Sequence, residues 1–190
     1  MNGSDRDVVL DVRQGNRDAF GGLVRAYQGR LFGLVMMMVR DRPGAEEVTQ
    51  DAFVRAFTHL AHYDERRPFY PWLASIAVRL AQNWLVGRVR TVHREGTALE
   101  SAPEPGAEPG ALAGLVAQER GRALWDAVAA LSSGERTAVM LFYRDDLAVG
   151  DVARALGVTT GTIKTLLFRA RRHLRERLGA APSFIKDVSQ

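Results

Sequence analysis

The stretch Leu147–Leu178, LAVGDVARALGVTTGTIKTLLFRARRHLRERL, constrains this chain more than any other, because two helical patterns meet in it across a tight turn. Val152, Ala153 and Leu156 share one apolar face. Gly157 ends that first pattern, since glycine enters the left-handed backbone region at no steric cost, and Val158 fills the turn. Thr159 or Thr160 then caps a second helix, on which Ile163, Leu166, Leu167, Ala170, Leu174 and Leu178 recur at i, i+3 and i+4. Its other face carries Thr162, Lys164, Thr165, Arg169, Arg172 and Arg175, donors suited to phosphates and base edges. Ala153, Gly157 and Ile163 stand where a helix-turn-helix needs a small residue, a turn glycine and a buried aliphatic. A basic amphipathic helix on an ordinary soluble domain is the plainer alternative, and three coincident positional constraints weigh against it.

Charge distribution agrees with a nucleic-acid partner. The chain of 190 residues has a net charge of +4, and its basic residues crowd into Arg79–Arg94 and Lys164–Arg177, the footprint of two separate backbone contacts. At 46% hydrophobic it can build real cores. With no cysteine there is no disulfide framework, thiolate nucleophile or cysteine zinc site. MNGSDRDVVLDV puts acids where a secretory leader needs a basic and then an apolar run, and LFGLVMMMV is about half the length a bilayer requires. The expectation is a cytoplasmic protein with no membrane insertion.

Between Glu95 and Gly114 the composition changes to EGTALESAPEPGAEPGALAG, where Pro103, Pro105 and Pro109 break any helix and glutamate is the only charged residue. This reads as a flexible acidic linker over 95–114, joining a block over 1–94 to a block over 115–178, with a tail over 179–190. In the first block Val8, Val9 and Val12 mark a short helix ending at Gly15, with Asn16 placed to cap the next. That next helix carries Phe20, Leu23, Val24, Tyr27, Leu31, Leu34, Val35 and Met38 at helical spacing. Asp41 caps a further helix with Pro43 in its first turn, and another, with Trp72, Leu73, Ile76, Ala77 and Leu80, runs from near Pro71 to about Val89. In the second block a helix through RALWDAVAAL precedes Ser132 and Glu135, the spacing of a capping box, which opens the helix GERTAVMLFYR. Period-two alternation is absent, so the fold class is all-α: two small helical domains.

Set side by side, these blocks resemble the bacterial sigma-70 family, specifically its small two-domain extracytoplasmic-function members. NRDAFGGLVRAYQGRLFGLV and AEEVTQDAFVRAF resemble the opening and polymerase-binding helices of region two. PFYPWLASIAVRLAQNWL resembles the helix that opens and reads the minus-ten element, and ALSSGERTAVMLFY with the helix-turn-helix resembles region four, which binds the minus-thirty-five element. The resemblance implies a sigma factor that binds core RNA polymerase and promoter DNA, with an anti-sigma factor as second partner and no cofactor.

It also implies roles for particular side chains. Glu47, Gln50, Asp51 and Val54 fall at i, i+3, i+4 and i+7, a polar strip around an aliphatic, and would meet the coiled coil of the polymerase's largest subunit; without the resemblance an ordinary solvated face is the simpler reading. Arg79, Gln82, Asn83, Arg88 and Arg90 would serve the minus-ten element, and Arg136, Thr160, Thr162, Lys164, Thr165, Arg169 and Arg172 the minus-thirty-five element. Trp72 reads as core rather than as a stacking platform for unpaired bases, with Tyr70 and Trp84 as weaker stacking candidates. Family members commonly carry asparagine at Arg79, aspartate at Asn83, arginine at Val86 and Leu166, and a serine or threonine cap at Ala148. These departures bear on base choice. The linker's glutamates would imitate RNA in the polymerase channels, or serve only as a spacer.

Two other readings remain open on residues alone. A conventional helix-turn-helix regulator explains the second block but leaves the first without a task. An enzyme with a metal at His59, His62 and Asp64 rests on weak spacing, and no phosphate-cradling loop or activated nucleophile accompanies it.

Overall fold

The computed structural model describes the backbone of residues 3–95 and 122–179, with side chains over 5–88 and 122–179. The linker from 96 onward, the side chains of Arg90, His93 and Arg94, and the tail from 180 lie outside the described residues. Among those described, every regular element is helical.

Helix α1 (Gly3–Arg13) buries Val9 and Val12 and ends before Gly15. Asn16 departs from its expected role. Its side chain makes no capping bond; its Nδ2 donates to Asp11 Oδ2 at 2.7 Å, and a short 3-10 turn (Arg17–Ala19) precedes the next helix. Helix α2 (Phe20–Val39) turns Phe20, Leu23, Leu31, Leu34, Val35 and Met38 inward. It closes on Arg40, which adopts the left-handed conformation (φ 56°) that few side chains tolerate.

Asp41 caps α3 (Arg42–Thr58) by accepting from the Gly44 N–H at 2.8 Å, and the missing N–H of Pro43 costs nothing in the first turn. The Gly44 donor, aided by Arg88, holds the Asp41 carboxyl below the usual carboxylate range. Helix α4 (Phe69–Glu95) is longer than its apolar stripe predicts, starting before Pro71 and continuing past Val89. Phe69, Leu73, Ala77, Val78 and Ala81 bury its inner side.

In the second block α5 (122–129) leads to Ser132, whose hydroxyl and N–H share a reciprocal capping box with Glu135 at the start of α6 (Ser133–Val139). The single helix expected through GERTAVMLFYR is in fact two conformations, because α6 widens into one π turn over Met140–Arg144. The Asp145 N–H reaches Met140 O at 2.9 Å, five residues back, which swings Arg144 and Asp145 out of the helical phase. Helices α7 (Val149–Leu156) and α8 (Thr160–Leu178) form the helix-turn-helix. The blocks touch: α7 packs on α4, and α6 on α2.

Candidate nucleic-acid interface

The turn between α7 and α8 is set by Gly157 at φ 69°, in the left-handed region where glycine alone is unstrained. Thr159, not Thr160, caps α8, its hydroxyl accepting from the Thr162 N–H at 3.2 Å. Ile163, Leu167, Ala170 and Leu174 are fully buried, which fixes the rotation of the helix and turns its other side outward. Thr160, Thr162, Lys164, Thr165, Arg169 and Arg172 are all exposed on that side, as is Arg175. Among the described residues Lys164 and Arg169 have no ion pair, while Arg172 makes only a 3.7 Å contact with exposed Glu176. Such a pair is weak and readily exchanged for a phosphate.

The back of α8 is tied to α6. Leu166, half-buried, lies over Gly134, so its side chain packs on α6 instead of projecting. His173 Nδ1 lies 3.3 Å from Glu135 Oε1, whose other oxygen accepts from the Ser132 hydroxyl at 2.8 Å. Burial pushes the Glu135 carboxyl up, but the Ser132 donors and His173 outweigh it and hold it below its ordinary value. Arg136 requires a correction. It is only 8% exposed and faces α2, donating from Nη1 to Met37 O and from Nη2 to Leu131 O, both at 2.9 Å, so in this arrangement it is not part of the outward donor face.

On α4, Arg79, Gln82 and Asn83 are exposed together, with Val86 just beyond. Arg88 is committed elsewhere: half-buried, it pairs with Asp41 Oδ1 at 3.0 Å and lies 5.0 Å over the Trp84 ring, closing the start of α3. Trp84 in turn donates to Glu47 Oε2 at 3.3 Å. Trp72 sits as expected in an aromatic cluster, 4.8 Å from Tyr63 and 5.6 Å from Phe69 between ring centres. Tyr70 is a second correction. It is buried, with the Arg30 guanidinium 3.8 Å over its ring, and offers no face to a base. A cavity of about 350 Å³, lined by Tyr63, Arg67, Trp72, Arg79, Asp151 and Arg154, opens beside the contact of α4 with α7.

On α3, Val48, Thr49, Ala52, Phe53 and Ala56 face inward. Glu47, Gln50, Asp51 and Val54 therefore share the outer side, with Val54 63% exposed. His59 and His62 stack edge to face, and no group of three or more metal-ligating side chains occurs among the described residues.

Two family models match in order along the chain: sigma-70 region 2 over residues 23–91 and sigma-70 region 4 over residues 121–174. The RNA polymerase sigma-H factor of Pseudomonas aeruginosa is 32% identical over 182 residues, covering 92% of this chain and 93% of that one. The chain belongs to the sigma-70 family. Within it the chain is an extracytoplasmic-function member, being 27% identical over 188 residues to the ECF RNA polymerase sigma factor SigW of Bacillus subtilis, across 90% of this chain and 94% of SigW. It also matches the probable RNA polymerase sigma factor RfaY of Xanthomonas campestris at 32% identity, but spans only 41% of that longer protein. The fold matches that of the sigma factor RpoE of Bartonella quintana, solved with the anti-sigma factor NepR, at a TM-score of 0.73 and 23% identity, covering 86% of this chain and 98% of RpoE.

In family terms α2–α4 form region 2, and α5–α8 lie in region 4. Two of their residues escaped the sequence reading. Phe168 is 64% exposed amid Lys164, Thr165 and Arg172 on the outer side of α8, and an aromatic out of phase with the apolar stripe was the available signal. Asp145 is fully buried between the regions, and its partners from region 2 are too distant in sequence to leave any local signal.

Proposed function

We propose that this sigma-70 family member docks on core RNA polymerase through the α3 strip and positions two promoter-reading helices, α4 at the minus-ten element and α8 at the minus-thirty-five element. The observation that carries the reading is the outer side of α8, where Lys164, Thr165, Arg169 and Arg172 are exposed opposite a fully buried aliphatic stripe. Arg169 and Lys164 are the donors for guanine edges or phosphates, and Phe168 offers an apolar contact for a thymine methyl. At the minus-ten element Gln82 and Asn83 suit adenine edges and Arg79 a phosphate.

Glu47, Gln50, Asp51 and Val54 set the register on the polymerase coiled coil through charge-assisted hydrogen bonds around an apolar centre. An anti-sigma protein is the second partner, as in the solved RpoE complex. No catalysis is attributed to the chain. Its work is cytoplasmic, and among the described residues no helix is long and apolar enough to cross a membrane.

Size exclusion with core polymerase tests docking, and run-off transcription tests promoter choice. Co-elution and promoter-dependent transcripts are the expected outcome. Tight binding to a palindromic duplex without co-elution would instead make this a conventional helix-turn-helix regulator.

A further inference from the structure

Helix α1 lies ahead of the stretch matched to sigma-70 region 2, yet its last residue, Arg13, reaches deep into that region. Helix α3 ends at Thr58 and passes through a 3-10 turn (Leu60–His62), a helix end whose last carbonyls need donors from elsewhere. Arg13 supplies them. Its Nε and Nη2 donate to Leu60 O at 3.2 and 2.8 Å, and Nη2 also reaches Ala61 O at 3.4 Å and Tyr63 O. Its Nη1 donates to Glu65 Oε2 at 3.1 Å, and Arg6, earlier on α1, pairs with the other Glu65 oxygen at 3.6 Å. A guanidinium suits this place because its donors sit in a rigid planar fork, which an ammonium lacks.

The segment held in this way forms a wall beside the minus-ten helix. Tyr63 gives its carbonyl to Arg13, sets its ring 4.8 Å from Trp72 and 5.5 Å from Phe69 on α4, and donates its hydroxyl to Arg67 O. Burial pushes that hydroxyl up to about 12, so it remains a donor at neutral pH. Asp64 accepts from Arg66 Nε at 2.9 Å and from the Arg66 N–H at 3.1 Å, while its carbonyl accepts from the Arg67 N–H at 3.0 Å, which folds the loop back on itself. Arg67 then lines the same cavity as Trp72 and Arg79, for which a minus-ten phosphate is proposed. A line of direct contacts thus runs from Arg13 through Tyr63 to Arg67, beside Arg79. Binding groups discriminate only while they are held to within about 0.5 Å of their working geometry, so a loosened loop blurs what α4 reads.

We infer that Arg13 is a positioning residue for promoter reading: through the carbonyls of Leu60, Ala61 and Tyr63 it fixes the loop over 60–68 against α4 and thereby sharpens the choice of minus-ten bases. This rests on the sigma-factor reading above. The carbonyl fork, not the Glu65 pair, is the holding element.

The test is run-off transcription by the full chain with core polymerase, on templates whose minus-ten bases are changed one at a time. The readout is the ratio of transcript from the best template to that from each altered one, within a single preparation, so a lowered folded fraction does not move it. Arg13→Ala and Arg13→Lys both reduce that ratio by about fivefold or more, the low end of what one base contact contributes, with co-elution on core polymerase unchanged. Glu65→Gln, which keeps the fork, leaves it within about twofold of wild type. Because the chain has no cysteine, Arg66→Cys takes a single nitroxide on the loop, and its spectrum sharpens when Arg13 is replaced.

An unchanged ratio in an Arg13 variant that transcribes overturns the positioning role, even where the nitroxide reports a loosened loop, since Arg13 then serves stability alone. Failure of both Arg13 variants to fold overturns it for the same reason. A ratio lost equally in Glu65→Gln overturns the fork as the holding element. A wild-type chain that neither co-elutes nor transcribes sinks the sigma-factor reading instead, so the failures are distinguishable.

Discussion

Helices α4 and α8 both carry basic residues on an amphipathic frame, yet they spend them differently. On α8 the buried stripe of Ile163, Leu167, Ala170 and Leu174 consumes only apolar side chains, and the donors are left to solvent. On α4 one donor has been drawn into the fold: Arg88 closes the N-terminus of α3 through Asp41, while Arg79, Gln82 and Asn83 stay outside. A basic residue on a helix is therefore a candidate contact only after its tertiary acceptors are counted. The comparison is open to direct attack.

The largest effect comes from the frame. Leu167→Ala removes a fully buried side chain from the inner stripe of α8, and costs about 2–5 kcal/mol of stability by urea denaturation, since the surroundings relax only partly around the cavity. A loss under about 1 kcal/mol would mean that α8 is not held in a fixed rotation, and its outward face would lose its definition.

Next come the donors themselves. Arg169→Ala should weaken binding to a minus-thirty-five duplex by about 1–3 kcal/mol if it reads a base, with polymerase co-elution unchanged. Substituting Gln50 and Asp51 together should do the reverse, abolishing co-elution while duplex binding persists. If either pair of readouts moves together, the separation of docking from reading fails.

These contrasts also show what could be read from sequence. The helix-turn-helix was legible because its signals are local: a turn glycine, a threonine cap and a stripe at helical spacing all act within a few residues. The outward placement of Glu47, Gln50, Asp51 and Val54 on α3 was legible for the same reason. Arg136 was misplaced because nothing near it in sequence reveals that Met37 O, on another helix, accepts its hydrogen bond. Tyr70 was offered to unpaired bases because its acceptor, Asp145, comes from the other region. The π turn left no signal in the sequence either, since the partners of the Asp145 that follows it, Arg30 and Tyr70, come from the other region. Local propensity thus gave the elements, and pairing across the regions decided which polar side chains remain available.

A smaller effect probes the residue that holds Arg88. Asp41→Ala removes the α3 cap and should cost about 1 kcal/mol. Because the Gly44 N–H, assisted by Arg88, lowers the Asp41 carboxyl, its contribution is fully present above the unfolded carboxylate value of about 3.9 and is lost as pH falls through the lower folded value. The wild-type and Asp41→Ala stability curves, followed by denaturation from neutral pH downward, should therefore converge in acid. A gap that widens in acid would reverse the sign and remove Asp41 as the acceptor that occupies Arg88.

The smallest effect is the most discriminating. Arg172 and Arg88 are both arginines on basic helices, and each faces a carboxylate, Glu176 at 3.7 Å and Asp41 at 3.0 Å. The first pair is exposed on both sides and worth a few tenths of a kcal/mol, so Arg172→Ala should leave stability nearly unchanged. Because Arg172 is free to meet a phosphate, the same change should reduce the slope of log affinity against log salt by about 0.9 on a promoter duplex. Arg88→Ala should show the opposite pattern: a measurable loss of stability through the α3 cap and the Trp84 ring, with the salt slope unmoved. Should Arg88→Ala flatten the slope as much as Arg172→Ala, then Arg88 leaves Asp41 for the DNA backbone when promoter binds. In that case α4 and α8 would differ only in the free chain, and the α3 cap would be exchanged for a phosphate contact at the moment of recognition.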